Sequence, residues 1–161
     1  MSEYQQKIET LLLERGLIKP EQLERVRYRV EKEQLSVEEV VLQEKLVFPE
    51  QLAQVQAEVL GVPYIDLGKV KTNPEAMATI SRQAAGTYRF IAFDIKDQKL
   101  LVAMEAPDDF QALEAVKFIA KKRGLSPEIY LASEEGVNRL LGGAAEIQAE
   151  IGGALKDFSQ E

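Results

Sequence analysis

The spacing of apolar positions divides the chain into two kinds of segment. Over the first sixty residues apolar side chains recur every three or four positions, the period of a helix face. Ile8, Leu11 and Leu12 give a first stripe, Leu23, Val26 and Val30 a second, Val37, Val40 and Val41 a third, and Leu52, Val55 and Val59 a fourth. Punctuation agrees with this. Ser2 with Gln5 and Ser36 with Glu39 read as capping boxes, and Gly16 reads as a left-handed helix end. Pro20 and Pro49 suit the first turn of the second and fourth helices. Beyond Leu60-Gly61-Val62-Pro63 the period changes. Tyr64–Leu67 reads as a short strand, and Asn73-Pro74 opens a helix to about Ser81. Phe90–Ile95 and Leu100–Met104 form a hairpin across Lys96-Asp97-Gln98. Leu100–Met104 is a continuous apolar run too short for a helix, so it reads as a strand buried on both faces. Ala106-Pro107 stops it, and Asp108, with Gln111 three residues on, is placed to cap a helix reaching Arg123 and closed by Gly124. Glu128–Ala132 is a further strand, and Ser133 caps a last helix.

The helical part also repeats itself. Leu11–Val26 and Val40–Val55 align at an offset of 29 residues, with Leu13/Leu42, Leu17/Leu46, Pro20/Pro49, Glu21/Glu50, Gln22/Gln51, Leu23/Leu52 and Val26/Val55 identical. The match includes the turn, which amphipathicity alone would not demand. The expected fold is therefore α+β. A helical subdomain of two duplicated helix–turn–helix hairpins (residues 1–60) precedes a small α/β subdomain with a three- to four-stranded mixed sheet (61–141). A glycine-interrupted linker follows over 142–161.

Composition narrows the chemistry. The 161 residues contain no cysteine and no histidine, which removes thiolate chemistry, the commonest general base and the commonest metal ligand. Net charge is −7, and it is spread evenly: residues 1–60 carry 8 basic and 12 acidic side chains, the remainder 12 and 15. Neither part has the basic excess of a nucleic-acid or anionic-membrane binder. No apolar run approaches the length that spans a bilayer, and the N-terminus lacks the order of a signal peptide. A cytoplasmic location without membrane insertion is the expectation.

No catalytic or metal-ligating set emerges. Asp108 and Asp109 are adjacent, so they do not face each other on a helix. Lys121-Lys122-Arg123 suits the negative end of its own helix. Arg25, Arg27 and Arg29 lie on different sides of one helix and read as a solvated face. Gly68-Lys69 lacks the earlier glycine and the following hydroxyl residue of a phosphate-binding loop.

Three blocks, Leu60-Gly61-Val62-Pro63-Tyr64-Ile65-Asp66-Leu67, Leu100–Asp109 (L-L-V-A-M-E-A-P-D-D) and Tyr130-Leu131-Ala132-Ser133, resemble in that order one known domain. It is the N-terminal domain of the assembly ATPases of type II secretion systems and type IV pili, which typically reads L-G-[IV]-P-[YF]-[IV]-D-L, then [LV]-x-[VI]-A-M-x-[DN]-P-x-D, then a strand ending in A-[ST]. The resemblance runs from about residue 8 to residue 140. It implies a non-catalytic docking module, peripheral to the inner membrane, that attaches a hexameric motor to cytoplasmic domains of the membrane platform proteins. The motor's phosphate-binding loop would lie downstream in a longer protein, or the chain is a stand-alone domain.

One branch of that family binds cyclic di-GMP through tandem hairpins that read R-L-G-x-x-[LVI]-[VI]-x-x-G twice. Here the first copy runs from Lys7 to Gly16 and the second from Ser36 to Lys45. The arginine is Lys7 in one copy and Ser36 in the other, and the first glycine is Glu9 and Glu38. Only Gly16 keeps the second glycine. The alternative role, cyclic di-GMP sensing, would rest on Lys7 and Gly16, whereas the favoured reading needs no cofactor. For docking to a partner protein the candidates are Leu17, Ile18, Val47 and Phe48 in the two hairpin turns. The same residues could instead staple the hairpins to the α/β half.

Overall fold

A computed structural model of the chain describes residues 2–142. It forms two compact units, one ending at Tyr64 and the other beginning at Ile65. The expected boundary at residue 60 moves because the following residues stay tied to the helical unit. The Val62 N–H donates to the Ala57 carbonyl at 3.1 Å, and the Tyr64 hydroxyl bonds the Glu50 carboxylate. The expected linker, apart from Gly142, lies outside the described residues.

The first unit consists of α1 (Glu3–Glu14), α2 (Pro20–Glu33), α3 (Val37–Gln43) and α4 (Pro49–Leu60). The 29-residue duplication persists in its core. Ile8/Val37, Leu12/Val41, Ile18/Val47, Leu23/Leu52 and Val26/Val55 are five equivalent pairs, and all ten side chains are buried in one cluster with Val40. The turns match bond for bond. Arg15 N–H donates to Leu11 O and Glu44 N–H to Val40 O; Leu17 N–H donates to Leu12 O and Leu46 N–H to Val41 O, all at 2.9 Å. Gly16 and Lys45 both sit in the left-handed region, at φ 67° and 57°. The hairpin therefore imposes this conformation in both copies, although only one carries the glycine that adopts it without steric cost. Lys19 and Phe48 offer no side-chain acceptor at the starts of α2 and α4. The repeated Gln22 and Gln51 work in the opposite direction, their Oε1 atoms accepting the backbone N–H of Lys19 at 2.8 Å and of Phe48 at 2.9 Å.

The second unit holds α5 (Pro74–Met77), α6 (Arg82–Tyr88), β1 (Phe90–Lys96), β2 (Lys99–Met104), α7 (Phe110–Lys122) and β3 (Ser126–Leu131). A last helix, α8, occupies residues 134–142. The sheet order is β1-β2-β3, with β1 antiparallel and β3 parallel to the central β2. Asp97 and Gln98, at φ 51° and 63°, form the turn between β1 and β2. Both are left-handed, as in the primed turns whose twist suits hairpins. Along β2 the side chains alternate: Leu100, Val102 and Met104 enter one core cluster, Leu101 and Ala103 the other. A bulge between Ala92 and Asp94 changes the parity of β1. Ile91 and Phe93 face one side, whereas Phe90, Ala92 and, after the bulge, Ile95 face the other.

Three expectations are corrected. Tyr64–Leu67 forms no strand: Tyr64 makes an isolated bridge, and the chain then turns, with the Gly68 N–H donating to Asp66 Oδ1. The helix opened by Pro74 stops at Met77, and Ser81, whose Oγ accepts the Ala84 N–H at 3.1 Å, starts a separate α6. The cap of α7 is Asp109, not Asp108. Its Oδ1 accepts from Gln111 N at 3.0 Å and Ala112 N at 3.3 Å, because the turn at Pro107-Asp108 delays the helix by one residue.

Candidate functional site

The four residues singled out for docking lie in the two hairpin turns, which treat them differently. Ile18 and Val47 are 3% and 5% exposed and belong to the helical core. They are equivalent positions of the repeat, and a partner could not reach either without opening its hairpin. Leu17 packs partly against the same core. Phe48 is 73% exposed. Its backbone is fixed on both sides, its N–H bonded to Gln51 and its carbonyl accepting the Leu52 N–H at 3.1 Å. The aromatic ring is thus presented outward from a rigid turn, where the other copy carries Lys19. Tyr28, Phe110 and Phe118 are the other large apolar side chains exposed among the described residues.

Lys7 lies on an exposed face of α1, where its ammonium pairs with Glu3 at 3.3 Å. It lines a shallow groove of about 530 Å³ with Glu3, Gln6, Thr10, Leu11 and Glu58. Gly16 does not line this groove. Open space surrounds its α-carbon, where an added Cβ would meet no atom within 4 Å. Two carboxylates, Glu3 and Glu58, border the space beside Lys7, which opposes a phosphate there.

The positions where the nucleotide-binding pattern has glycine are filled and bonded. Glu9 is 3% exposed, and its carboxylate accepts from Arg27 Nη2 at 2.9 Å and Nε at 3.2 Å. Glu38, its equivalent, accepts from Gln56 Nε2 at 3.4 Å and Gln5 Nε2 at 2.6 Å. Arg27 and Gln56 are themselves equivalent at the 29-residue offset, so the same acid-to-donor link between paired helices occurs in each copy. The hydrogen bonds Arg27 donates to Glu9, followed by the negative charge of Glu9, hold the Arg27 pKa above its ordinary value.

Of the three arginines read as a solvated face, Arg25 and Arg27 are exposed and Arg29 is half-buried, and all three are ion-paired. Arg25 reaches Glu44 at 2.9 Å, Arg27 reaches Glu9, and Arg29 reaches Glu33 and Gln43. Arg25 and Arg29, one turn apart on α2, both reach Glu44 at the end of α3, whereas Arg27 ties α2 to α1.

In the second unit Arg89, left-handed at φ 57°, donates from Nε to Glu105 Oε1 at 3.0 Å and also bonds Asn138. It thereby joins the end of β2 to α8. Burial pushes the Glu105 carboxyl above its ordinary pKa in spite of this guanidinium. Nothing in the spacing of Arg89, Glu105 and Asn138 marks them as partners; the positive φ of a non-glycine residue is visible only in the structure. Among the described residues no group of three acidic side chains could hold a metal ion, and no helix is long and apolar enough to cross a membrane.

The model of the MshEN domain matches residues 60–150, more than half of the chain, and spans all three sequence blocks. The chain belongs to the MshEN family. It is an N-terminal domain of the type II secretion and type IV pilus assembly ATPases, a region distinct from the catalytic module. Among solved structures it is similar to MshE, determined with cdg, at 21% identity and a TM-score of 0.66, over 84% of this chain and 96% of that one. It is also similar to the N-terminal domain of XpsE, at 23% identity and a TM-score of 0.61, over 88% of this chain and 96% of that one. These likenesses establish the shared fold of this MshEN chain. No curated protein matches its sequence.

Proposed function

We propose that this MshEN domain is a docking module that attaches the motor of a secretion or pilus assembly ATPase to the cytoplasmic side of the inner-membrane platform. The observation that carries the reading is Phe48, a large apolar ring held in solvent at a turn where its own N–H and carbonyl are both hydrogen-bonded. Exposed aromatics on a rigid frame are the usual anchors of protein interfaces. The parent protein would work at the cytoplasmic face, held to the membrane through its partners, and ATP hydrolysis would belong to its motor. The test is co-purification of the chain with cytoplasmic domains of the platform proteins. Phe48→Asp should abolish capture while leaving the circular dichroism spectrum unchanged. Undiminished capture removes Phe48 from the interface, and no capture by the unaltered chain removes the reading itself.

A second reading, cyclic di-GMP sensing, is favoured by the fold shared with MshE, which was solved with cdg. The side chains oppose it. A bonded, buried glutamate stands where the pattern has glycine, and Lys7 is engaged by Glu3. Calorimetry should detect no cyclic di-GMP binding at micromolar concentrations; binding lost on Lys7→Ala would reverse the preference.

A further inference from the structure

Helix α7 turns Ala112, Val116 and Ala120 into the core and leaves Phe110, Glu114 and Phe118, four residues apart, on its outer face. Phe110 and Phe118 are 73% and 61% exposed. Between them and α6 runs an open groove of about 610 Å³, floored by Ala115 and Ile119 and walled by Tyr88. The Tyr88 ring stacks on buried Phe90 at 5.5 Å, which fixes that wall.

The charge beside the groove is opposite in sign to that of the chain. Lys117, Lys121, Lys122 and Arg123 are all exposed within the last two turns and the cap of α7, in a protein of net charge −7. Among the described residues only Lys117 of these four has an ion-pair partner, Glu114 at 3.5 Å. Lys122 Nζ lies 4.6 Å from the centre of the Phe118 ring, so cation and aromatic form one feature. The groove is a single strip along α7 beside Tyr88, which suits a narrow acidic segment better than a broad anionic bilayer.

We propose that the outer face of α7 receives an amphipathic segment of a partner protein, one that buries aliphatic side chains against Phe110 and Phe118 and sets carboxylates over Lys121 and Lys122. The inference rests on the docking reading and gives it a second surface and a partner chemistry. The probes are two synthetic helical peptides of about 15 residues. They share one leucine and isoleucine stripe and carry either glutamate or lysine on both flanks.

Titrated into the ¹⁵N-labelled chain, the glutamate peptide should shift the amides of α7, and added salt should weaken the effect. Phe118→Ser should weaken binding about tenfold, as loss of an aromatic anchor does. Lys121→Glu with Lys122→Glu should transfer the preference to the lysine peptide. Absence of shifts, equal binding of both peptides, or shifts that spare both α7 and Tyr88 would overturn the assignment. So would α7 shifts that depend on protein concentration without peptide, which would indicate a second copy. Flotation with phosphatidylserine vesicles that is lost on Phe118→Ser would place a lipid surface there instead. In the platform co-purification, capture retained by Phe118→Ser overturns the α7 proposal and leaves the docking reading intact. Absence of capture by the unaltered chain counts against docking, while the peptide titration still decides whether α7 recognises acidic amphipathic segments.

Discussion

Replacing Arg27 by alanine isolates what holds the two helices of the first hairpin together. Arg27 supplies every hydrogen bond that the Glu9 carboxylate receives among the described residues, at distances of 2.9, 3.2 and 3.4 Å. Glu9 is 3% exposed, whereas the Arg27 side chain is 56% exposed. Removing one partner of a fully buried pair costs roughly 3–5 kcal/mol. Here the truncation also opens a path for water to the carboxylate, so the cost should fall to about 2 kcal/mol, within the range for hydrogen bonds to a charged group. With a urea dependence of about 1 kcal/mol/M for so small a unit, the midpoint of the helical unit should fall by about 2 M. The chain forms two compact units, so the titration is followed by amide signals that report on each. Ile8 and Val26 report on the helical unit, and Val102 serves as an internal control in the sheet. Glu9→Met combined with Arg27→Met replaces the pair by apolar groups of similar length and should return to within about 1 kcal/mol of the unaltered chain. If Arg27→Ala leaves the helical midpoint in place, or if the two methionine changes simply add, the pair does not lock the hairpin.

Three further outcomes follow from the same geometry. Lys45→Gly should stabilise the helical unit by about 1 kcal/mol, because it gives the second turn the residue that the first already has at the left-handed position. An unchanged urea midpoint would refute this. Asp109→Ala should cost the α/β unit about 1 kcal/mol through the lost cap, and Asp108→Ala less than about 0.5 kcal/mol; equal effects would return the cap to Asp108. For Glu105 the folded-state pKa is raised above its ordinary 4.5, principally by burial, so the folded state binds this proton more tightly than the unfolded one. Its contribution to stability therefore declines as pH rises from 4.5 through the folded value, and then stays constant. Glu105→Gln should flatten that decline in the Val102 midpoint, and an unaltered pH slope would contradict the assignment.

Much of the fold could be read from the sequence because its determinants are local or repeated. The four helical stripes, the apolar run of β2 and the cap at Ser133 each depend on a few neighbouring residues. The 29-residue duplication extended that legibility to the core, since pairs such as Ile18/Val47 occupy equivalent buried places. That burial also withdrew two of the four docking candidates: an aliphatic residue in a turn looks alike in sequence whether it folds inward or remains outside. The α7 cap shifted by one residue because either aspartate satisfies the pattern, and only the turn after Pro107 selects between them. Arg27–Glu9 and Arg89–Glu105 were invisible because long-range ion pairs leave no periodic trace.

The duplication also bears on whether this surface is a ligand site. Had Glu9 been an isolated substitution at a position where the nucleotide-binding pattern has glycine, it could be a drifted remnant of a pocket. The equivalent residue in the other copy is Glu38, and each acid bonds the equivalent position of the following helix, Arg27 in one hairpin and Gln56 in the other. The donor has changed from guanidinium to amide, while the acid and the link remain. A position that serves twice as an internal fastener between helices has a structural use that does not depend on a nucleotide. Opening it for a phosphate would require breaking the Glu9–Arg27 pair, at a cost of about 2 kcal/mol, which would weaken any ligand roughly thirtyfold. Glu9→Gly with Glu38→Gly therefore provides a direct comparison: the hairpins should lose stability in proportion to the lost links, and calorimetry should still find no cyclic di-GMP binding, because Ser36 supplies no cation and Lys7 cannot present the planar fork of the arginine in the pattern.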